Sequence, residues 1–319
     1  MKIGMLNLLG NIPERLNSHN AGWTFCIDKM SKQRFGYFPI HINEKSNFED
    51  YELIVINNGV NYKEDIWNFF GGVSDATIQK LSKLESYKGP LVTFNEDIHF
   101  NTLLKRKEIN SVPDKSVTVF NTWDMPDNLT IGDSHSLSIY NKGGLKRIDG
   151  KTLHGFLKDP YLYIPRKQYS SVTFYFGNID LRFHLCRIGD SITDNVTKLA
   201  CKYTSFADSF AKKHGCSVSL QGLLPIEDES RKIPGSGMYK GAGFYGSREV
   251  REDARILFNS KIEEHAKFMQ FNYLEPWLKN PLSFNDMEAR QSVHVRPSSY
   301  KYPYTEKANL IQATKQLDL

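Results

Sequence analysis

The stretch Gly132-Asp133-Ser134-His135-Ser136 follows a short apolar run, Leu129-Thr130-Ile131. A serine acts as a nucleophile when its hydroxyl is exposed, a base lies within hydrogen-bond reach, and donors await the developing oxyanion. A strand ending in a small-residue turn supplies the first condition. Gly132 relieves crowding, and Ser134 then sits where the carboxyl edge of an α/β sheet opens into a ligand crevice. The same tripeptide also reads as an ordinary turn with an Asx or serine cap. Three further features follow in chain order. Ile148-Asp149-Gly150-Lys151-Thr152 offers a glycine backbone donor, and Gly177-Asn178-Ile179-Asp180-Leu181-Arg182-Phe183-His184 follows the next apolar strand. Val293-His294 comes near the end of the sequence, where the imidazole reads either as a general base or as a surface or capping group.

Other residues near these blocks have two readings each. Arg182 binds an anionic substrate group or braces a loop. His135 and His184 flank the serine, but no third ligand has the spacing a metal site needs. The four cysteines, Cys26, Cys186, Cys201 and Cys216, form no Cys-x-x-Cys pair and no zinc spacing, which points to reduced thiols rather than a disulfide framework.

Positioning such residues requires a sheet, and the pattern predicts two. Over the first hundred residues, strands at about Lys2–Leu9, Tyr37–Ile42, Glu52–Ile56 and Pro90–Phe94 alternate with helices. One helix is expected over about Gly22–Lys32. A second, capped by Ser74 or Asp75, carries Ile78, Leu81 and Leu84 at helical spacing. Strand–helix alternation predicts parallel, doubly wound α/β architecture. The rhythm breaks around residues 104 to 128, where prolines flank one strand, Ser116–Phe120. The domain boundary is placed there, giving domains 1–125 and 126–319. Alternation then restarts with strands at Leu129–Ile131, Val172–Phe176 and Cys216–Leu220. Helices are expected at about Ile192–Lys213, Arg248–Lys267 and Thr305–Leu317. The glycine-rich stretch 231–246 lacks a following Gly-Lys-Ser/Thr, so it is not a P-loop.

The composition is that of an ordinary globular protein: 319 residues, 40% hydrophobic and 24% charged. A mean hydropathy of −0.46 and the lack of a long apolar run argue against a membrane protein. The first residues lack the apolar core of a secretory signal, which suggests a cytoplasmic setting. A net charge of +5 tolerates a polyanionic partner without predicting one.

Taken in order, the blocks around Ser134, Gly150, Asn178 and His294 resemble the SGNH (GDSL-like) hydrolase family over about residues 129–310. The closest branch has a third block reading glycine, an acidic or amide residue, isoleucine, aspartate, then arginine and histidine. The resemblance implies a flavodoxin-like second half. Ser134 becomes the nucleophile, Gly150 the oxyanion glycine and His294 the base, and no cofactor is required. Asp133, His135, Asp180, Arg182, His184 and Gln291 are then candidate substrate contacts. Two positions depart from the family. Its usual third-block asparagine falls on Ile179, leaving Asn178 or Arg182 as substitute donors. Its usual aspartate before the histidine is Gln291, which can orient an imidazole but supplies no negative charge. Asp286 lies nearby without the family spacing.

The first hundred residues resemble the amino-terminal domain of phage DNA β-glucosyltransferases. The resemblance rests on Ile56-Asn57-Asn58-Gly59, Phe69-Phe70-Gly71-Gly72 and the strand running into Asn95-Glu96-Asp97. It implies a Rossmann-like, glycosyltransferase-like first half with Asp97 as a catalytic base. It also implies a phage setting and a sugar- or nucleic-acid-linked substrate, modified double-stranded DNA included. Three functions follow: serine acyl transfer, DNA-base modification through Asp97, or binding on an eroded hydrolase scaffold. Lys105-Arg106-Lys107, with Lys146, Arg147 and Lys151, could line a phosphate-binding cleft or decorate separate surfaces.

Overall fold

A computed structural model describes residues 1–7, 19–57, 75–95, 117–187, 191–227, 241, 243–287 and 293–303. Asp97, Lys105–Lys107, Gln291, the Phe69–Gly72 turn, most of the 231–246 stretch and the expected terminal helix lie outside the described residues. The chain forms two compact units, Met1–Asp124 and Met125–Tyr302.

The first unit holds strands β1 (Ile3–Asn7), β2 (Ile40–Ile42), β3 (Leu53–Asn57), β4 (Leu91–Asn95) and β5 (Val117–Asn121), all parallel, in the order β2-β1-β3-β4-β5. Helices α1 (His19–Phe35) and α2 (Asp75–Ser86) connect them. Every residue of β1 and β3 is buried, as expected of parallel strands covered on both faces. Leu6, Ile54, Ile56, Leu84 and Leu91 form one core. At the carboxyl edge Asn7 pairs in register with Asn57, whose Nδ2 donates to Asn7 Oδ1 at 2.7 Å and to Thr24 Oγ1 at 2.8 Å.

The second unit holds β6 (Asn128–Gly132), β7 (Gly144–Arg147), β8 (Ser171–Tyr175), β9 (Ser217–Gln221) and β10 (Asn272–Leu274). These are again parallel, in the order β10-β9-β8-β6-β7. Renumbered within the unit, this is the 2-1-3-4-5 order of a doubly wound sheet. Such an order reverses its winding direction between the first and third strands, here β6 and β8, and leaves a crevice beyond their carboxyl ends.

Among the described residues the α-helices of this unit are α3 (Leu153–Lys158), α4 (Asn178–Phe183), α5 (Ile192–His214) and α6 (Arg248–Met269). Helix α5 starts where Ser191 Oγ accepts from Asp194 N at 3.2 Å and stops at left-handed Gly215. It buries Val196, Leu199, Ala200, Tyr203 and Phe210. Phe206 of this helix interlocks with Phe156 and Phe174, with ring centroids 5.2–6.1 Å apart among the three.

The strands and long helices fall close to their expected places. The Tyr37–Ile42 strand contracts to Ile40–Ile42, and α1 is longer at both ends than its apolar pattern suggested. Strands β7 and β10 and helices α3 and α4 were not anticipated. Each is six residues or fewer, too short for periodicity to register.

Candidate active site

Strand β6 ends at Gly132, where the crowding is a matter of backbone. A Cβ there would stand 2.3 Å from the Tyr175 carbonyl oxygen and 2.9 Å from Ser136 Cβ. Asp133 follows as the cap of a 3-10 turn, Ser134–Ile139; its carboxylate accepts from His135 N at 2.9 Å. The turn therefore presents Ser134 beside the winding reversal, directly beyond the end of a central strand.

His294 arrives from the other end of the unit. Its segment is anchored by a bridge between Val295 and Met287, and by Arg296, whose N donates to Asp286 O at 2.8 Å and whose Nε donates to Met287 O at 2.9 Å. His294 Nε2 lies 2.7 Å from Ser134 Oγ, across 160 residues of chain. That is a hydrogen bond of the length a general base needs toward its nucleophile. His294 is 9% exposed, so the pair is largely shielded from bulk water.

His135 sits against this pair, its ring centroid 4.6 Å from that of His294. Its Nδ1 lies 2.9 Å from Asp133 Oδ1 and its Nε2 lies 3.2 Å from the Val293 carbonyl. Both ring nitrogens thus face oxygens of the protein itself. Among the described residues no group of three His, Cys, Asp or Glu side chains is placed to hold a metal ion.

On the β8 side, left-handed Gly177 (φ 115°) turns the chain into α4. Asn178 is the first residue of that helix and is buried, with its Nδ2 3.5 Å from Asp133 Oδ2. Arg182, one turn on, is also buried. Its Nε and Nη2 donate to the two oxygens of Glu227 at 2.8 and 2.7 Å, and its Nη1 donates to Asn178 O at 2.8 Å. Burial alone would raise the Glu227 carboxyl, but the guanidinium charge and these hydrogen bonds hold it below its ordinary value.

Asp180 accepts from Leu153 N at 2.6 Å and His154 N at 3.1 Å, tying α4 to the start of α3. Burial pushes its carboxyl up to about 6 despite those two donors. Just upstream of α3, Gly150 adopts a left-handed conformation (φ 67°) in the turn that Lys151 N closes onto Ile148 O at 3.2 Å.

Several residues expected to meet substrate are thus engaged within the protein: Asp133 with His135, Asp180 with α3, and Arg182 with Glu227. His184 ends α4, and burial, with the Arg187 charge next, lowers its imidazole from the ordinary value. The Asp286 carboxylate is taken up by Ser283 N and Oγ, at 2.9 and 2.7 Å. Sequence reasoning missed Glu227. The available signal was an acid closing the apolar run Leu223-Leu224-Pro225-Ile226, where a buried charge demands a partner.

No protein-family model matches the chain, and no curated protein does. Several solved structures are similar to it at low identity. A gut microbial diltiazem-metabolizing enzyme shares 14% identity, over 61% of this chain and 46% of that one, with a TM-score of 0.38. An extracellular lipase from Streptomyces rimosus shares 14%, over 59% of this chain and 99% of that one, with a TM-score of 0.35. An acetyl xylan esterase shares 11%, over 60% of this chain and 98% of that one, with a TM-score of 0.32. The Ser134–His294 geometry, rather than likeness at this level, carries the chemistry.

Proposed function

We propose that the second unit is a serine-dependent acyl-transfer enzyme of the esterase or acylhydrolase type. The observation that carries this reading is the 2.7 Å contact between His294 Nε2 and Ser134 Oγ. In the forward step Ser134 Oγ attacks the ester carbonyl carbon while its proton passes to His294 Nε2. The tetrahedral oxyanion is held by the backbone N–H groups of Ser134 and Gly150, with the Asn178 amide as a further donor. Collapse breaks the bond to the leaving alcohol, which departs with the proton from His294. Water, or a second hydroxyl, then repeats the sequence on the acyl-serine and restores the free enzyme.

The finer reading is an ester on a sugar- or nucleic-acid-linked hydroxyl. Its support is the sequence resemblance of the first unit to phage DNA glucosyltransferases. A fluorophosphonate probe and p-nitrophenyl acetate test the core proposal. Labelling and hydrolysis are expected for the native chain, with Ser134→Ala losing labelling and Ser134→Ala or His294→Ala losing ~10³-fold or more in turnover. An unlabelled native protein overturns it.

A further inference from the structure

We propose that His135 is a positioning residue for the base: with Asp133 as its proton partner, it ties the nucleophile turn to the segment that carries His294. The kinetic consequence rests on the acyl-transfer reading; the protonation geometry does not.

The argument starts from what each ring nitrogen faces. A backbone carbonyl can only accept, so the 3.2 Å contact between Nε2 and Val293 O is a hydrogen bond only when Nε2 carries a proton. Nδ1 faces Asp133 Oδ1 at 2.9 Å, an oxygen that already accepts the His135 backbone N–H. With Nε2–H in place, a bare Nδ1 would set its lone pair against the Asp133 oxygen. The proposed arrangement therefore calls for a second proton shared between Nδ1 and Asp133, as an imidazolium–carboxylate pair or a neutral imidazole against a carboxylic acid. In both forms Nε2–H is retained. Had the pair only one proton, the carboxylate would draw it to Nδ1, and a bare Nε2 would face the carbonyl lone pairs.

Burial keeps this arrangement from exchanging with water, since Asp133 is fully buried and His135 is 7% exposed. Among the groups around it are the His294 ring, the Asn178 amide on Asp133 Oδ2, the Glu227 charge, itself paired with Arg182, and, on the Asp133 side, the Tyr175 hydroxyl and the Asp180 carboxyl.

Val293 immediately precedes the base. Downstream, Val295 and Arg296 fix the segment to Met287 and Asp286. Upstream, the bond from His135 holds it to the same turn that presents the nucleophile. Misplacing a catalytic group by about 1 Å can cost ~10²-fold in rate, so the bond on this side of His294 bears on the Ser134–His294 geometry alongside the downstream contacts.

Two measurements test the proposal. In ¹⁵N-histidine-labelled protein at neutral pH, the His135 Nε2 signal, assigned by its loss in His135→Gln, is expected in the protonated range. A bare Nε2 overturns the proposal. The second compares His135→Gln, whose amide can donate to Val293 O, with His135→Leu, which cannot. His135→Leu is expected to lower kcat ~10²-fold with KM unchanged, and His135→Gln to recover at least about tenfold of that loss at a similar melting temperature. Equal kcat in the two variants, or losses that follow their melting temperatures, overturns it. If the native protein neither labels nor hydrolyses esters, the acyl-transfer reading alone fails, and the Nε2 signal still decides the role of His135.

Discussion

The Asp180 carboxylate holds the Leu153 amide at 2.6 Å, so a residue of the third sequence block fixes the helix that follows the second. Burial raises this carboxyl from the ordinary 3.8 to about 6. A carboxyl whose folded value lies above its unfolded value binds its proton more tightly when folded. It therefore favours the folded state below pH ~4, and that advantage is lost as the pH rises from about 4 to 6. The shift corresponds to about 3 kcal/mol.

Asp180→Asn is accordingly expected to remove this part of the pH dependence of stability. Denaturant melts of native and variant protein between pH 4 and 7 check it. The native curve should lose stability relative to the variant as the pH rises through that window. The variant should also be weaker at pH 4, because an asparagine oxygen serves only one of the two N–H groups and its NH2 faces the other.

Arg182 and Glu227 make a second measurable pair, 5% and 3% exposed at their side chains. Removing one partner leaves a buried charge without its counterion, so Glu227→Gln is expected to cost about 3–5 kcal/mol in chemical denaturation. Replacing both, as in Arg182→Met with Glu227→Leu, should recover most of that loss. A double variant no more stable than the single one would show that the pair contributes more than mutual neutralisation.

Asn178, buried with its amide 3.5 Å from Asp133 Oδ2, is the further oxyanion donor of the proposed mechanism, and the next position, Ile179, is where the sequence departs from the hydrolase pattern it resembles. If its amide donates to the oxyanion, Asn178→Ala lowers kcat about 10²–10³-fold with little change in KM. A fall in melting temperature with kcat unchanged would instead make it a strut for Asp133.

What could be read in the sequence follows from the length scale of each signal. Leu53–Ile56 is an uninterrupted apolar run, Val172–Phe176 is broken only by Thr173, and α5 repeats its buried residues from Val196 to Phe210, so all three were legible. Strand β7 alternates no polarity in Gly144-Leu145-Lys146-Arg147 and is defined only by its register with Leu129–Gly132. Ser134 and His294 could be proposed because they fall in chain order among blocks that resemble those of a hydrolase family. The role of His135 could not, because its partner Val293 lies 158 residues away. Arg182 stayed ambiguous for a similar reason: its carboxylate, 45 residues on, belongs to an element that local pattern does not connect to α4.

Gly132 tests whether the nucleophile turn must be built as it is. Its requirement is contact rather than an unusual backbone, because an added Cβ would meet the Tyr175 carbonyl at 2.3 Å. The obstacle is backbone of the neighbouring strand, in register with Gly132 itself, so no side-chain rotation relieves it. Gly132→Ala must therefore push β6 from β8 at the point where both deliver their site residues, Ser134 and Asn178. Overpacking of this kind costs about 1–3 kcal/mol. The displacement should matter more to rate than to folding, since a shift of about 1 Å in the nucleophile can cost ~10²-fold. The expected result is a folded protein, by circular dichroism and a melt lowered by several degrees, whose fluorophosphonate labelling is slowed about a hundredfold. Gly143→Ala supplies the control: its Cβ would also strike backbone, Asn128 O at 2.4 Å, but at the opposite end of β6. It should lose at least as much stability, because its left-handed φ of 85° adds backbone strain, while keeping its labelling rate, and equal slowing in both variants would show that the sheet responds as a whole rather than at the nucleophile turn.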